Sequence, residues 1–74
     1  MKLLDCRGNG KVRVVYVEGE RSIRKRLIDM GITTGTEIIV RRIAPMGDPM
    51  EIEIRGYELS LRKEEAERIE VEPE

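Results

Sequence analysis

The chain has 74 residues, 39% hydrophobic and 39% charged, with a formal net charge of −1. A chain this short buries only about 60% of its unfolded surface, so it is expected to form one small domain, spanning 1–74, with a thin core. It has no His, Trp or Phe, a single Cys and two Tyr, which excludes the usual nucleophile–base pairs and transition-metal ligand sets; neither an enzyme nor a cofactor carrier is expected.

Cys6 has no second thiol to pair with, which suits a reducing compartment. The longest apolar run, Val14-Val15-Tyr16-Val17, is far short of the roughly 20 residues of a membrane helix. Met1–Asp5 lacks the apolar stretch of a signal peptide. A cytoplasmic protein is expected, without direct membrane insertion and tied to a membrane only through a partner. Residues 1–50 carry ten Lys and Arg against six Asp and Glu, and residues 51–74 carry four against nine. The charge is therefore polarised along the chain, and no uniform basic coat for nucleic acid exists. Abundant Glu, Lys and Arg with no Gln and a single Asn is a bias met in heat-tolerant organisms.

In chain order, Gly8-Asn9-Gly10-Lys11 reads as a hairpin turn; as a phosphate loop it lacks the strand before and the helix after. Val12–Val17 (VRVVYV) is a strand by its β-branched and aromatic content. Both alternations, Val12/Val14/Tyr16 and Val15/Val17, are apolar, so a strand partly covered on both sides is expected. Over residues 20–30 the period becomes helical, with Ile23, Leu27 and Met30 on one stripe. Gly31 follows as a left-handed C-cap, while the N-cap stays open between Gly19 and Ser22. Glu20 suits the helix dipole and Arg21 opposes it.

One residue of this helix is on the wrong side. At about 100° per residue, Ile28 falls opposite the stripe, between Arg24 and Arg21, with Lys25 beyond. An isoleucine ringed by cations reads as an interface anchor with a charged rim. Its plain alternative is a scattered surface residue, or one covered by a neighbouring loop.

Thr33-Thr34-Gly35-Thr36 reads as a turn, and Glu37–Ile43 as a second strand. Ala44–Pro49 is dense in turn formers. There Met46 and Met50 flank a rigid Gly47-Asp48-Pro49 turn, either as an adaptable contact surface or as a connector with Met50 in the core. Glu51–Arg55 alternates with Ile52 and Ile54 inward. Gly56-Tyr57 turns the chain, Leu59 and Leu61 alternate again, Arg62–Glu67 favours a short helical turn, and Ile69 and Val71 end in a strand before an acidic tail. The pattern is mostly β, a compact barrel with one inserted α-helix; periodicity leaves SH3-like and OB-like barrels both open.

The chemistry-bearing groups point away from catalysis. Nothing places two of Asp29, Asp48, Glu51 and Glu53 about a pocket, and Glu51 and Glu53 share a strand's outer face. The tail carboxylates Glu64, Glu65, Glu67, Glu70, Glu72 and Glu74 support only weak, nonspecific cation association. Cys6 with Met1, Met30, Met46 or Met50 is a thin soft-metal set, and a lone Cys more often packs as a small hydrophobe; no stoichiometric Fe(II) or Zn(II) site is expected. Nucleic acid is the rival partner, through Arg21, Arg24, Lys25, Arg26 and Arg41-Arg42. Small barrels hold single strands by stacking bases on aromatics, however, and two distant tyrosines predict only weak, salt-sensitive association.

Arg26-Leu27, Met30-Gly31-Ile32, Gly35, Ile38 and Val40, Ala44-Pro45-x-Gly47-Asp48-Pro49, Gly56, and Leu61-Arg62-x-x-Glu65-Ala66 with Ile69 and Val71 occur in that order. This set, running from about Val12 to Val71, resembles the FeoA family of ferrous iron transport proteins A. The resemblance implies an SH3-like β-barrel with helical insertions. It further implies a small cytosolic accessory protein that binds the membrane ferrous iron permease FeoB, at its cytosolic domain, and modulates it. The alternative it brings is the related SH3-like interaction domain of iron-dependent repressors, without their helix-turn-helix. Each motif also has a purely structural reading, so function rests on the likeness. On that reading the partner-binding residues are Arg24, Lys25 and Ile28 of the helix and Met46, Gly47 and Asp48 of an adjoining loop, with weak homo-oligomer formation allowed for.

Overall fold

A computed structural model of the chain describes residues 1–6 and 10–74; the Gly8-Asn9 part of the expected hairpin turn lies outside them. After a 3₁₀ turn at Leu3–Asp5 come β1 (Gly10–Val17), α1 (Arg21–Asp29), β2 (Glu37–Ile43), β3 (Met50–Ile54), β4 (Tyr57–Leu61), α2 (Lys63–Ala66) and β5 (Ile69–Pro73). The strands form one antiparallel sheet in the order β4-β3-β2-β1-β5. Its edges, β4 and β5, do not pair with each other among the described residues, so the expected barrel is not closed into a continuous ladder.

Two bulges interrupt the ladder, and the first resolves the ambiguous pattern of β1. In β1 the register with β5 slips between Val14 and Tyr16. An extra residue reverses the phase of a strand and bends it. Val12 and Val14 therefore point into the core, Val15 and Tyr16 are exposed, and Val17 turns back inward. The expectation of a strand covered on both sides is replaced by one buried face that changes parity at the bulge. In β2 a slip between Val40 and Arg42 does the same, with Ile38 and Val40 buried before it and Ile43 packed inward after it.

Fully buried Leu3, Leu27, Ile32, Ile38, Met50, Ile52, Leu61 and Ile69 form the centre of the core. Helix α1 contributes the expected stripe, with Leu27 buried and Ile23 and Met30 packed against the cluster. Its N-cap is Glu20, which makes no side-chain capping bond, so neither Gly19 nor Ser22 fills that role. Its C-terminus is a Schellman turn. The Gly31 N–H donates to Ile28 C=O at 2.9 Å and the Ile32 N–H to Leu27 C=O at 3.0 Å. Gly31 has φ +96°; a Cβ there would meet nothing within 4 Å, so the backbone conformation, not space, selects glycine.

The β3–β4 hairpin turns on Arg55 and Gly56, at φ +52° and +87°, between the paired Ile54 and Tyr57. That is a type I′ turn, placed one residue earlier than the expected Gly56-Tyr57. Arg62 N–H donates to Glu65 Oε1 at 2.8 Å, the carboxylate half of a capping box at the start of α2; the arginine side chain, a donor only, does not supply the other half.

Candidate partner-binding surface

The outward face of α1 follows from its inward one. With Leu27 buried, Ile28 is rotated onto the surface and is 46% exposed. It borders two grooves of about 300 Å³ each. One is lined by Arg21, Arg24, Lys25 and Ile28. The other runs between the helix and the β1 bulge, where Tyr16 and Val17, Arg24 and Ile28, and Ile32 to Thr34 meet. Three of the expected contact residues, Arg24, Lys25 and Ile28, thus stand together.

Among the described residues, Arg21, Arg24 and Lys25 have no carboxylate in ion-pairing range; the cation of α1 that does is Arg26. Its Nη2 lies 2.5 Å from Oε2 of Glu65, a carboxylate only 3% exposed. That oxygen has no aligned hydrogen bond, so we read the contact as a charge pair held by proximity rather than direction. The pair clamps α1 to α2. Arg41 reaches Glu53 and Arg42 reaches Glu51 across the β2–β3 pair, at 2.5 and 3.1 Å. The two arginines best placed on the sheet to meet a phosphate backbone are therefore locally neutralised.

The loop half of the expected surface is fastened to α2. Met46 is 84% exposed, and Gly47 donates its N–H to Ala44 C=O at 2.7 Å. Asp48 accepts a bond from the Lys63 N–H at 3.3 Å and stands 3.6 Å from Arg62, bordering a groove with Glu64 and Glu67. Asp48 thus anchors the loop to α2, which the Arg26–Glu65 pair ties to α1; among the described residues no hydrogen bond or ion pair joins the loop to Ile28 itself. Met50 is fully buried, which settles it as core.

Tyr16, Val17 and Thr34 line the surface without having been singled out by composition. For Tyr16 and Val17 the signal lies in β1, where two conflicting alternations mark a bulge. A smaller apolar groove of about 170 Å³ lies between the end of α1 and the β3–β4 hairpin, with Met30, Ile54 and Leu59 in it.

The titratable groups are structural. Burial pushes the Cys6 thiol up, helped by Asp5, and its Sγ lies 3.6 Å from Lys2 C=O. Lys2 is raised by its bond to Glu18, 2.7 Å away, whereas Glu70 is lowered by the terminal ammonium and by Lys2. The Glu70 pairs fasten the first residues to β5, and Lys2–Glu18 ties them to the end of β1. Among the described residues no three His, Cys, Asp or Glu side chains converge as a metal site, and no helix is long and apolar enough to cross a membrane.

Comparison with known proteins places this surface in context. The FeoA domain family matches residues 1–73. A Porphyromonas gingivalis protein, described as an Fe(2+) transport protein A/Fe(2+) transporter FeoB fusion protein, is 40% identical over 72 residues, covering 97% of this chain and 8% of that one. This chain thus spans a small fraction of that relative's length. The solution structure of a FeoA-like protein from Clostridium acetobutylicum superposes with a TM-score of 0.90 at 45% identity, over 99% of this chain and 85% of that one. A manganese-dependent transcriptional repressor shares the fold, with a TM-score of 0.92 at 17% identity, over 100% of this chain and 36% of the repressor.

Proposed function

The chain belongs to the FeoA domain family, and from that membership we propose that it serves ferrous iron uptake by docking on the cytosolic domain of a FeoB-type transporter and modulating it. The observation that carries this reading is the fusion relative, in which a 40% identical stretch shares a polypeptide with the transporter. Covalent linkage raises the effective concentration of one module at the other. A separate chain doing the same work must supply that proximity by affinity.

The contact surface in this reading is α1 with Arg24, Lys25 and Ile28, together with Met46, Gly47 and Asp48 of the loop held on α2. Fully burying an isoleucine contributes roughly 1.5–3 kcal/mol. Ile28 is already about half covered, so completing its burial contributes about 1 kcal/mol, roughly fivefold in affinity. The cations around it add a salt-sensitive term and speed encounter. The domain acts on the cytoplasmic side and contributes binding rather than a chemical step.

The test is calorimetric titration of the chain into the isolated cytosolic domain of the transporter from the same organism. Saturable binding that weakens with added salt is expected. Absence of binding at low salt, with both proteins folded, contradicts the proposal.

A further inference from the structure

We infer that the groove between α1 and the β1 bulge receives an acidic segment bearing one apolar side chain, which seats beside Ile28 while its carboxylates pair with Arg21, Arg24 and Lys25. The inference rests on the docking proposal and names the chemistry of the segment that docks.

Three observations converge on it. The first is charge without partners. Arg13, Arg26, Arg41, Arg42 and Arg62 each have a carboxylate in range; among the described residues Lys11, Arg55, Lys63, Arg68 and the three cations around Ile28 do not, and those three are set apart by lining one groove together with an exposed isoleucine. The second is position. Arg21 opens α1, and the first turn holds no acidic residue, so Arg21 and its neighbours face the positive end of the helix dipole. Glu20 at the cap offsets this with one negative charge but no side-chain bond, against three cations. Such a cluster costs the fold stability, and an acidic ligand would offset that cost. The third is shape. The apolar wall is concave: Ile28 from the helix, Tyr16 and Val17 from the bulge, and Ile32 at its base. Thr33 and Thr34 form its polar end, with the Thr33 hydroxyl engaged by Thr36 at 2.9 Å and Thr34 exposed.

A groove suits a side chain inserted from a polypeptide. A bilayer would need apolar groups projecting beyond the cations, and a single strand of nucleic acid would need stacked aromatic platforms. Tyr16 is the one aromatic side chain here.

The experiment follows amide shifts of the ¹⁵N-labelled chain on adding synthetic peptides. One is a glutamate-rich peptide with a central leucine. The controls replace the leucine with serine, or every glutamate with lysine. The acidic leucine peptide is expected to shift Tyr16, Val17, Ile28 and Thr34. Both controls should lose at least most of the affinity, and raising ionic strength should weaken binding severalfold. Ile28→Glu and the Arg24→Ala/Lys25→Ala pair should each abolish the shifts, while Lys11→Glu on β1 should leave them unchanged.

The inference is overturned if the lysine peptide binds as well, if the shifts map to the Met30–Leu59 groove, or if no peptide binds. It is equally overturned if phosphatidylglycerol vesicles, rather than the peptide, capture the chain through Arg24 and Lys25. A parallel titration with the transporter's cytosolic domain separates the two claims. Binding there that is indifferent to Ile28→Glu sinks the groove but not the function. Peptide binding at the groove with no binding to that domain does the reverse.

Discussion

Removing the guanidinium of Arg26 should loosen α1 from α2 by an amount the geometry bounds. Glu65 is 3% exposed. One of its carboxylate oxygens accepts the Arg62 N–H at 2.8 Å, and the other depends on Arg26 at 2.5 Å. Orphaning a buried partner typically costs about 3–5 kcal/mol. The Arg26 side chain is 65% exposed, however, so water can approach the vacated position and the figure must be discounted for solvent screening. We expect Arg26→Ala to cost about 1–2 kcal/mol. In a domain of this size each kcal/mol moves Tm by about 4–8 °C, so a fall of about 5–15 °C follows. Glu65→Ala, which also removes the α2 capping bond, should cost about 1 kcal/mol more. Glu65→Gln can keep that bond while losing the charge. Urea unfolding of the Arg26→Ala, Glu65→Gln and double variants closes a double-mutant cycle. A coupling of about 0.5–1.5 kcal/mol is expected. Additivity to within about 0.3 kcal/mol would show that the pair is an ordinary surface contact and would refute the clamp.

Three further outcomes can be checked on the isolated chain. Leu27→Ala should cost about 2–5 kcal/mol, while Ile28→Ala should stay within about 0.5 kcal/mol, which parallel chemical denaturation measures. Arg55 holds a left-handed conformation at φ +52°, which costs a branched or long L-residue about 1 kcal/mol. Arg55→Asn, restoring the Asn-Gly pair that type I′ turns favour, should therefore raise stability by about 0.5–1 kcal/mol in thermal melts. The Cys6 thiol is pushed up by burial, so its thiolate fraction at pH 8 falls below that of a free thiol. Alkylation by iodoacetamide should be slower than for glutathione and should rise with pH to a higher midpoint; equal rates would contradict the burial.

Much of the fold is legible in residue order, and the exceptions have physical causes. The Ile23-Leu27-Met30 stripe with Gly31 defines α1 because a helical period and a left-handed cap are local signals. Ile52 and Ile54 likewise announce β3, where the alternation is unbroken. β2 is found at its expected bounds, Glu37–Ile43, but the faces of β1 misread because that strand contains a bulge. Val12 and Val14 obey one parity and Val17 the other, and a rule of strict alternation can only report two half-buried faces. The β3–β4 turn is displaced by one residue because an arginine in a left-handed conformation is disfavoured by its own chemistry. The Arg26–Glu65 pair escapes any periodic reading, since its partners belong to distant elements. Both residues are nonetheless among those that carry the FeoA resemblance, so that likeness contained a contact that composition and spacing could not express.

The candidate surface divides in the same way. Ile28 and its cations are legible because a helix wheel is local geometry, and the 46% exposure of Ile28 matches its place on that wheel. What fixes the Met46–Asp48 loop is not legible. The path of the loop is set by Asp48 bonding to the start of α2, a long-range contact that turns the loop toward Arg62 and Lys63. Tyr16 joins the helix surface for the opposite reason, because the β1 bulge aims it outward beside Ile28.

The central claim is tested most directly by ferrous iron uptake in cells that lack this chain but keep its transporter. Complementation should be measured with the wild-type chain and with Ile28→Glu, with cellular abundance and the melting temperature of each purified protein determined in parallel. The account predicts that Ile28→Glu accumulates and melts like the wild type, yet leaves uptake near the level of cells without the chain. Full restoration of uptake by an equally abundant Ile28→Glu protein would contradict it.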